Sequence, residues 1–250
     1  MEIDVTKDLK LKGKVAIVFG GSRGIGAAVA HRLAKDGADV ALTYVSAPDK
    51  AAETVRTIEA EGAEGLAIRA DSADPAAIQA AVAAAVDRFG RLDVVVVNAG
   101  ILRRGAVETF KLEDLDLMLN INIRGVFVAI QAAAPHLSES GRIITIGSNT
   151  AVRTGFPGAS VYSMTKAAVA VMVKGIAIDL APRGITVNNV QPGPTETDMT
   201  TAHLDMVKPF IPLGRVGQPR EVAGLVAYLA SEESGYMTGA SLTIDGGMSL

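Results

Sequence analysis

Tyr162 and Lys166 stand four residues apart in the run Val161-Tyr-Ser-Met-Thr-Lys-Ala-Ala168, inside a stretch that reads as helix. One helical turn separates them, so a phenol and an ammonium share a face. A phenol ordinarily releases its proton near pH ~10. A cation ~4 Å away, at an effective dielectric of ~20, is worth ~4 kcal/mol, or ~3 pKa units. That would bring the tyrosine toward neutrality, where a general acid or base works best. Chance alone produces such a pair in about one chain in six of this composition, so the rest of the chain must decide.

The elements that would carry the pair are legible. Short β-branched runs at 15–19, 40–44, 65–69, 94–97, 142–146, 186–190 and 242–244 alternate with helical stretches near 24–36, 49–61, 75–89, 112–136, 160–181 and 219–231. Asp74-Pro75 is an N-cap with proline at the first helical position, and Gln218-Pro219 repeats the signal. Gly37, Gly62, Gly90 and Gly184 fall just past helix ends, where a left-handed residue is needed. The strands are continuous apolar runs, which suits a parallel sheet covered on both faces. Alternation throughout, with no linker or composition break, predicts a doubly wound α/β fold with seven parallel strands. It also predicts a single domain over residues 1–250, with 1–11 as a short N-terminal extension.

The first strand runs directly into Gly20-Gly-Ser-Arg-Gly-Ile-Gly26 at the start of a helix. Gly20, Gly24 and Gly26 permit a tight turn, with Ser22, Arg23 and Ile25 between them. Helix N–H groups and the positive end of the dipole then face a pyrophosphate. An NAD site usually places a carboxylate at the end of the second strand. Here that position holds Tyr44, followed by Val45 and Ser46. No charge there repels a 2′-phosphate, and Arg23 would attract one, so NADP(H) is the expected cofactor and NAD(H) the second choice. Asp71-Ser72 follows the third strand, where a side chain could accept from the adenine amino group or simply cap a turn. Asn98, Ala99 and Gly100 end the fourth strand with residues small enough for close approach to a cofactor.

Composition removes other classes. The chain has 250 residues, 49% of them hydrophobic, enough for a substantial core. Its net charge of −3 gives no footprint for nucleic acid or an anionic membrane. It has no cysteine, hence no disulfide or thiolate metal site. His31, His136 and His203 are scattered, and no metal site is expected. The segment Met1-Glu-Ile-Asp-Val-Thr-Lys-Asp8 lacks an apolar core, and neither 94–97 nor 125–134 approaches a membrane span. The expected compartment is the cytoplasm.

Together these motifs resemble the short-chain dehydrogenase/reductase family over nearly the whole chain, most closely its 3-oxoacyl-carrier-protein-reductase and ketone-reductase branch. The carriers are the 20–26 glycine loop, Asp71, Asn98-Ala-Gly100, Asn122, Ser148, Tyr162-x-x-x-Lys166, Pro192-Gly193 and Ile244-Asp-Gly-Gly-Met248. The resemblance implies a Rossmann fold and a catalytic tetrad. Tyr162 would donate the proton in reduction and accept it in oxidation. Lys166 would lower the tyrosine's pKa and bond the nicotinamide ribose, with the oxidised nicotinamide as a second positive charge. Ser148 would hold the substrate carbonyl, and Asn122 would support a proton relay through water to Lys166. Pro192 and Gly193 would shape the nicotinamide pocket, with Thr195 and Thr197 near the carboxamide or phosphates. It also implies a homotetramer, with pairs joined through the catalytic helix and through the last helix and strand.

The chain departs from the family pattern in three places. Phe19 replaces a threonine, Val97 replaces the first asparagine of the usual Asn-Asn-Ala-Gly, and the Ser148–Tyr162 interval is one residue longer than the commonest spacing. The pocket would be formed by 101–106, 149–158 and 194–210, offering Leu102, Val152, Phe156, Met199, Met206 and Phe210 beside Arg103, Arg104 and Arg153. Such a pocket suits a hydrophobic ketone or β-keto ester, with a small-molecule ketone or alcohol as substrate. For docking an acyl-carrier protein, Arg183 matches one basic position of the branch, but Ser138-Glu-Ser140 is acidic at the other, which favours a free ketone. The other readings are an alcohol or sugar dehydrogenase running oxidatively, and a non-catalytic nucleotide sensor or scaffold. An intact tetrad argues against the last.

Overall fold

The structure, a computed structural model, describes residues 9–198, 200 and 204–250. The Met1–Asp8 segment, Met199 and His203 lie outside the described residues. In chain order the main elements are β1 (Val15–Phe19), α1 (Gly24–Lys35), β2 (Asp39–Tyr44), α2 (Pro48–Glu59), β3 (Gly65–Arg69), α3 (Pro75–Phe89), β4 (Leu92–Val97), α4 (Leu112–Leu119), α5 (Val126–Ala133), β5 (Leu137–Ile146), α6 (Ser160–Leu180), β6 (Thr186–Pro192), α7 (Leu204–Val207), α8 (Pro219–Ala230) and β7 (Ser241–Ile244).

One 7-stranded sheet has the order β3-β2-β1-β4-β5-β6-β7, and every pairing is parallel. The order reverses between β1 and β4, which places the crevice of this doubly wound fold at their carboxyl ends, where Gly20 and Asn98 begin. The central strands β1, β4 and β6 are buried on both faces, as their unbroken runs predict, while the edge strands β3 and β7 are partly exposed. Ala16 and Val18 pack with Val29, Leu33, Val226 and Leu229 of α1 and α8. Val15, Ile17 and Phe19 pack on the other side with Ile78, Val128 and Val173 of α3, α5 and α6. Leu11, expected in an N-terminal extension, is 2% exposed and belongs to the first of these layers.

Local signals hold at the caps. Asp74 Oδ1 accepts from Ala76 N at 2.9 Å, Glu221 Oε2 accepts from Gln218 N at 2.8 Å, and Gly90 and Gly184 adopt φ 75° and 67°. Three features differ from expectation. The helix expected over 112–136 is interrupted by a π turn at Asn120–Gly125 and ends in a 3-10 turn at Ala134–His136. The widened turn lets the backbone of the β3–α3 loop approach closely: a Cβ on Gly125 would lie 2.3 Å from the Ser72 carbonyl oxygen. β5 begins at Leu137 rather than 142, through an irregular polar lead-in with a register shift against β4 and Ser140 at φ 59°. The short α7 has no distinct sequence signal.

By length and hydropathy alone, Leu112–His136 and Ser160–Arg183 would pass as membrane-crossing helices, against the sequence expectation. Both lie on the sheet instead, and both carry buried polar side chains, Asn122 and Lys166, bonded within the protein.

Candidate active site

The glycine loop is held from two sides. Gly20, at φ 73°, donates its N–H to Thr43 Oγ1 of β2 at 2.9 Å. Its carbonyl oxygen accepts from Asn98 Nδ2 at 2.8 Å. A Cβ on Gly26 would sit 2.1 Å from that same carbonyl oxygen, so this position excludes any side chain. Arg23, the residue before α1, has an extended backbone and its side chain makes no capping bond. The first-turn N–H groups are thus available to an anion. The hydroxyl that Phe19 does not supply comes from Thr43 on the neighbouring strand. Val97 is 3% exposed and fills the core. Asn98, expected only as a small residue near the cofactor, is a clamp on the glycine loop.

Around the nucleotide crevice, Tyr44 is half-buried against the α1/α8 layer, and Ser46 and Arg23 are exposed. Asp71 Oδ1 caps its own turn by accepting from Ala73 N at 2.9 Å. Pro192 ends β6, and a Cβ on Gly193 would lie 2.5 Å from Asp245 Cβ, so glycine permits the close approach of the segment after β7. Thr195 is 3% exposed and spends its hydroxyl on the Gly193 carbonyl oxygen at 3.0 Å. Thr197 lies against the glycine loop, 3.2 Å from the place of a Gly24 Cβ.

The four tetrad positions converge at the ends of β4 and β5. Asn122, fully buried in the π turn, accepts from Ile101 N through Oδ1 at 2.9 Å. Through Nδ2 it donates to Ile101 O at 2.9 Å and Thr165 Oγ1 at 3.2 Å. Its amide is therefore committed to shaping the loop after β4, and the relay expected of it cannot run through that donor. Asn122 Oδ1 and Lys166 Nζ both lie 3.4 Å from the place of a Gly100 Cβ, so glycine leaves room between them. Lys166 is 5% exposed and donates to the Ile146 carbonyl oxygen at 2.9 Å. Burial pushes its pKa down to about 8.

The expected lowering of Tyr162 by Lys166 is not what the structure gives. Burial raises the phenol above its ordinary range, opposed by a hydrogen bond from Ser148 and the positive charge of Arg104. Lys166 Nζ stands 5.7 Å from the Tyr162 ring centroid and is turned to the Ile146 carbonyl instead. The pairwise attraction considered from sequence omits desolvation, which here decides the sign. Ser148 is buried, and its Oγ accepts from Thr150 N at 3.2 Å and Thr150 Oγ1 at 3.0 Å. With both lone pairs engaged, its one proton is the one it gives the Tyr162 oxygen.

The longer Ser148–Tyr162 segment carries Phe156, whose ring meets Phe210 edge-on at 5.8 Å between centroids, so the 149–158 and 194–210 loops touch. Gly105 N donates to Gly158 O at 3.1 Å, bringing the third pocket loop alongside. Leu102 is partly buried, while Val152 and Met206 are exposed. Of the three pocket arginines, Arg103 lies 3.3 Å from Asp114. Arg153 donates to Leu250 O at 2.7 Å. Asp245 collects Ser249 Oγ at 2.6 Å, Asn149 Nδ2 at 3.3 Å and Gly247 N at 3.0 Å. Burial would raise its carboxyl, but these bonds outweigh burial and hold it below the usual range.

Sequence reasoning missed Thr43, Thr165 and Thr150, which bond motif residues Gly20, Asn122 and Ser148 but sit at positions whose local sequence carries no signal of this kind. Arg183 is drawn inward: it donates to Ala134 O at 2.7 Å and lies 3.3 Å from Glu139. Among the described residues no cluster of His, Cys, Asp or Glu could hold a metal.

The family model described as enoyl-(acyl carrier protein) reductase matches residues 20–249. The 3-oxoacyl-[acyl-carrier-protein] reductase FabG of Staphylococcus aureus is 42% identical over 241 residues, 94% of this chain and 98% of that protein. A short-chain dehydrogenase/reductase mutant from Serratia marcescens is 53% identical with a TM-score of 0.95, over 96% of this chain and all of that one. A short-chain dehydrogenase from Burkholderia cenocepacia, solved in complex with NADP, is 49% identical with a TM-score of 0.94, over 96% and 100% of the two chains. A parallel sheet with its glycine loop at the switch point and its Ser, Tyr and Lys gathered beside it thus belongs to an oxidoreductase of the short-chain dehydrogenase/reductase family.

Proposed function

We propose that this chain is an NADP(H)-dependent reductase that converts a free, largely apolar ketone to a secondary alcohol, acting as one nucleotide-binding and catalytic domain. The observation that carries the reading is the Ser148–Tyr162–Lys166 cluster. Burial keeps the Tyr162 phenol protonated, which is the form that can give a proton to a carbonyl oxygen. Ser148, its lone pairs taken by Thr150, gives its one proton to the Tyr162 oxygen without substrate and would turn it to the carbonyl oxygen when substrate binds. Lys166 holds the Ile146 end of β5 through one N–H, which leaves two to bond the nicotinamide ribose. Asn122 positions the loop after β4.

The cofactor fits the glycine-lined turn at Gly20, Gly24 and Gly26, the uncapped start of α1 and the exposed Arg23. When bound, it supplies the hydride. NADP(H) rather than NAD(H) follows from Tyr44 and Ser46 in place of a carboxylate, and is supported by the NADP complex of the Burkholderia relative.

A free ketone is favoured over a carrier-borne one because Arg183 is tied to Ala134 and Glu139 and is not free to bind an acidic carrier. The likeness to 3-oxoacyl reductase keeps the carrier-borne substrate as the second reading; tight, salt-sensitive binding of acyl-carrier protein would restore it. The primary test is loss of NADPH absorbance over a panel of ketones, alongside NADH. Tyr162→Phe should lower kcat by about 10²–10⁴-fold with little change in NADPH affinity. Unchanged turnover, or a clear preference for NADH, would sink the reading.

A further inference from the structure

The segment after β6 reaches across the mouth of the nucleotide crevice to α2. Lys50, in the first turn of α2, places Nζ 2.6 Å from Asp198 Oδ2, and Arg23 Nη1 stands 3.9 Å from the same oxygen. Ser22, Arg23, Lys50 and Asp198 line a single cleft beside the glycine loop. Thr54 Oγ1 ties α2 to that loop through Ser22 O at 3.4 Å. Glu53 lines the same cleft, but among the described ion pairs it engages neither cation. One carboxylate, carried on the substrate loop, therefore pairs with two cations carried on the nucleotide-binding side, leaving one positive charge over. The three side chains are 50–61% exposed, so the contact is held weakly and is open to exchange with a stronger anion.

We propose that Asp198 occupies the charge position of the cofactor's 2′-phosphate, and that a 2′-phosphate displaces it from Lys50 and so releases the Thr195–Asp198 arm of the substrate loop. This rests on the NADP(H) reading above. A phosphate monoester carries nearly two charges and three acceptor oxygens, against one charge for a carboxylate, so it wins the exchange. A 2′-hydroxyl carries no charge and leaves Asp198 in place. The loop that walls the substrate pocket thereby responds to which nucleotide is bound. Because coupling of this kind is reciprocal, Asp198 in turn weakens the binding of 2′-phosphorylated nucleotides.

The test uses 2′,5′-ADP and 5′-AMP, which reach the adenine side without a nicotinamide. Asp198→Asn should tighten 2′,5′-ADP and NADPH by about two- to fivefold at low salt and leave 5′-AMP and NADH unchanged. Lys50→Gln should weaken 2′,5′-ADP and shrink the Asp198→Asn effect. In hydrogen exchange, the Glu196 and Thr197 amides are bonded to Gly217 O and Thr200 Oγ1. Their exchange should quicken on adding 2′,5′-ADP but not 5′-AMP. In Lys50→Gln it should already be quick in the absence of either ligand.

If wild-type protein binds 2′,5′-ADP no better than 5′-AMP, the NADP(H) reading itself fails, and this inference with it. If it binds 2′,5′-ADP better, yet Asp198→Asn changes no affinity or exchange at 196–197 is unaltered by the ligand, the displacement alone is overturned.

Discussion

The ammonium of Lys166 sits among buried groups, bonded to the Ile146 carbonyl oxygen and shifted from 10.5 to about 8. An unfolded lysine keeps its proton to pH ~10.4. Below pH 8 the folded chain must therefore hold a buried charge, and this opposes folding in full. The opposition fades as pH climbs from 8 toward 10, where the folded state has already lost the proton. The shift corresponds to about 3 kcal/mol. Lys166→Met should raise the stability of the nucleotide-free protein at pH 7 by about 1–2 kcal/mol, after allowing for the donor lost to Ile146. Thermal melts at pH 7 and 10 should show the gain shrinking, while turnover is abolished. A lower Tm at pH 7 would mean the Ile146 bond outweighs the desolvation.

Arg104 lowers the phenol from the rim of the pocket. Arg104→Gln should move the Tyr162 pKa upward. In reduction the active form is the neutral phenol, so the high-pH fall in kcat/KM should move to higher pH; in oxidation the rising limb should move the same way. Profiles that superimpose on wild type would remove Arg104 from the proton-transfer step.

Among the elements, β2 does more than fill the sheet. Thr43 is 1% exposed and gives the only hydroxyl described at the Gly20 N–H. Thr43→Val keeps the shape and removes the acceptor, leaving that donor unsatisfied at a cost of about 1–2 kcal/mol. The expected result is a lower Tm together with a raised Kd for NADPH; an unchanged Kd would show that the loop needs no support from β2.

The strands at 15–19 and 94–97 are readable from sequence because continuous runs rich in β-branched residues have few alternatives. The π turn at Asn120–Gly125 is hidden, since Asn-Ile-Asn-Ile-Arg-Gly preserves an ordinary helical rhythm and the distortion follows from Asn122 bonding Ile101 and Gly125 meeting Ser72. The Tyr162/Lys166 pair is legible by spacing. The sign of its pKa shifts is not, because burial depends on everything packed around the pair. The Lys50–Asp198 contact joins residues 148 positions apart, and nothing local marks either of them.

At the scale of the molecule, α6 carries more apolar surface than its own fold covers. Met164, Val171 and Ile178 are 47%, 68% and 75% exposed. Their spacing of about two turns puts them on one face. Phe127 of α5 is also exposed. We propose that this face joins two copies within the tetramer expected of the family. Val171→Asp should reduce the mass seen by light scattering to that of a smaller assembly. A wild-type chain that runs as a monomer would refute the assignment.

The bonds around Asp245 and Leu250 bear on how the protein comes into being. A chain emerges from the ribosome N-terminus first, so the glycine loop and most of the sheet exist before residues 245–250 are made. Asp245 and Leu250 hold Asn149 and Arg153 in the loop that walls the pocket. The substrate-side loop is thus pinned by residues 96 and 97 positions further along the chain, and takes its final form only after they have been made.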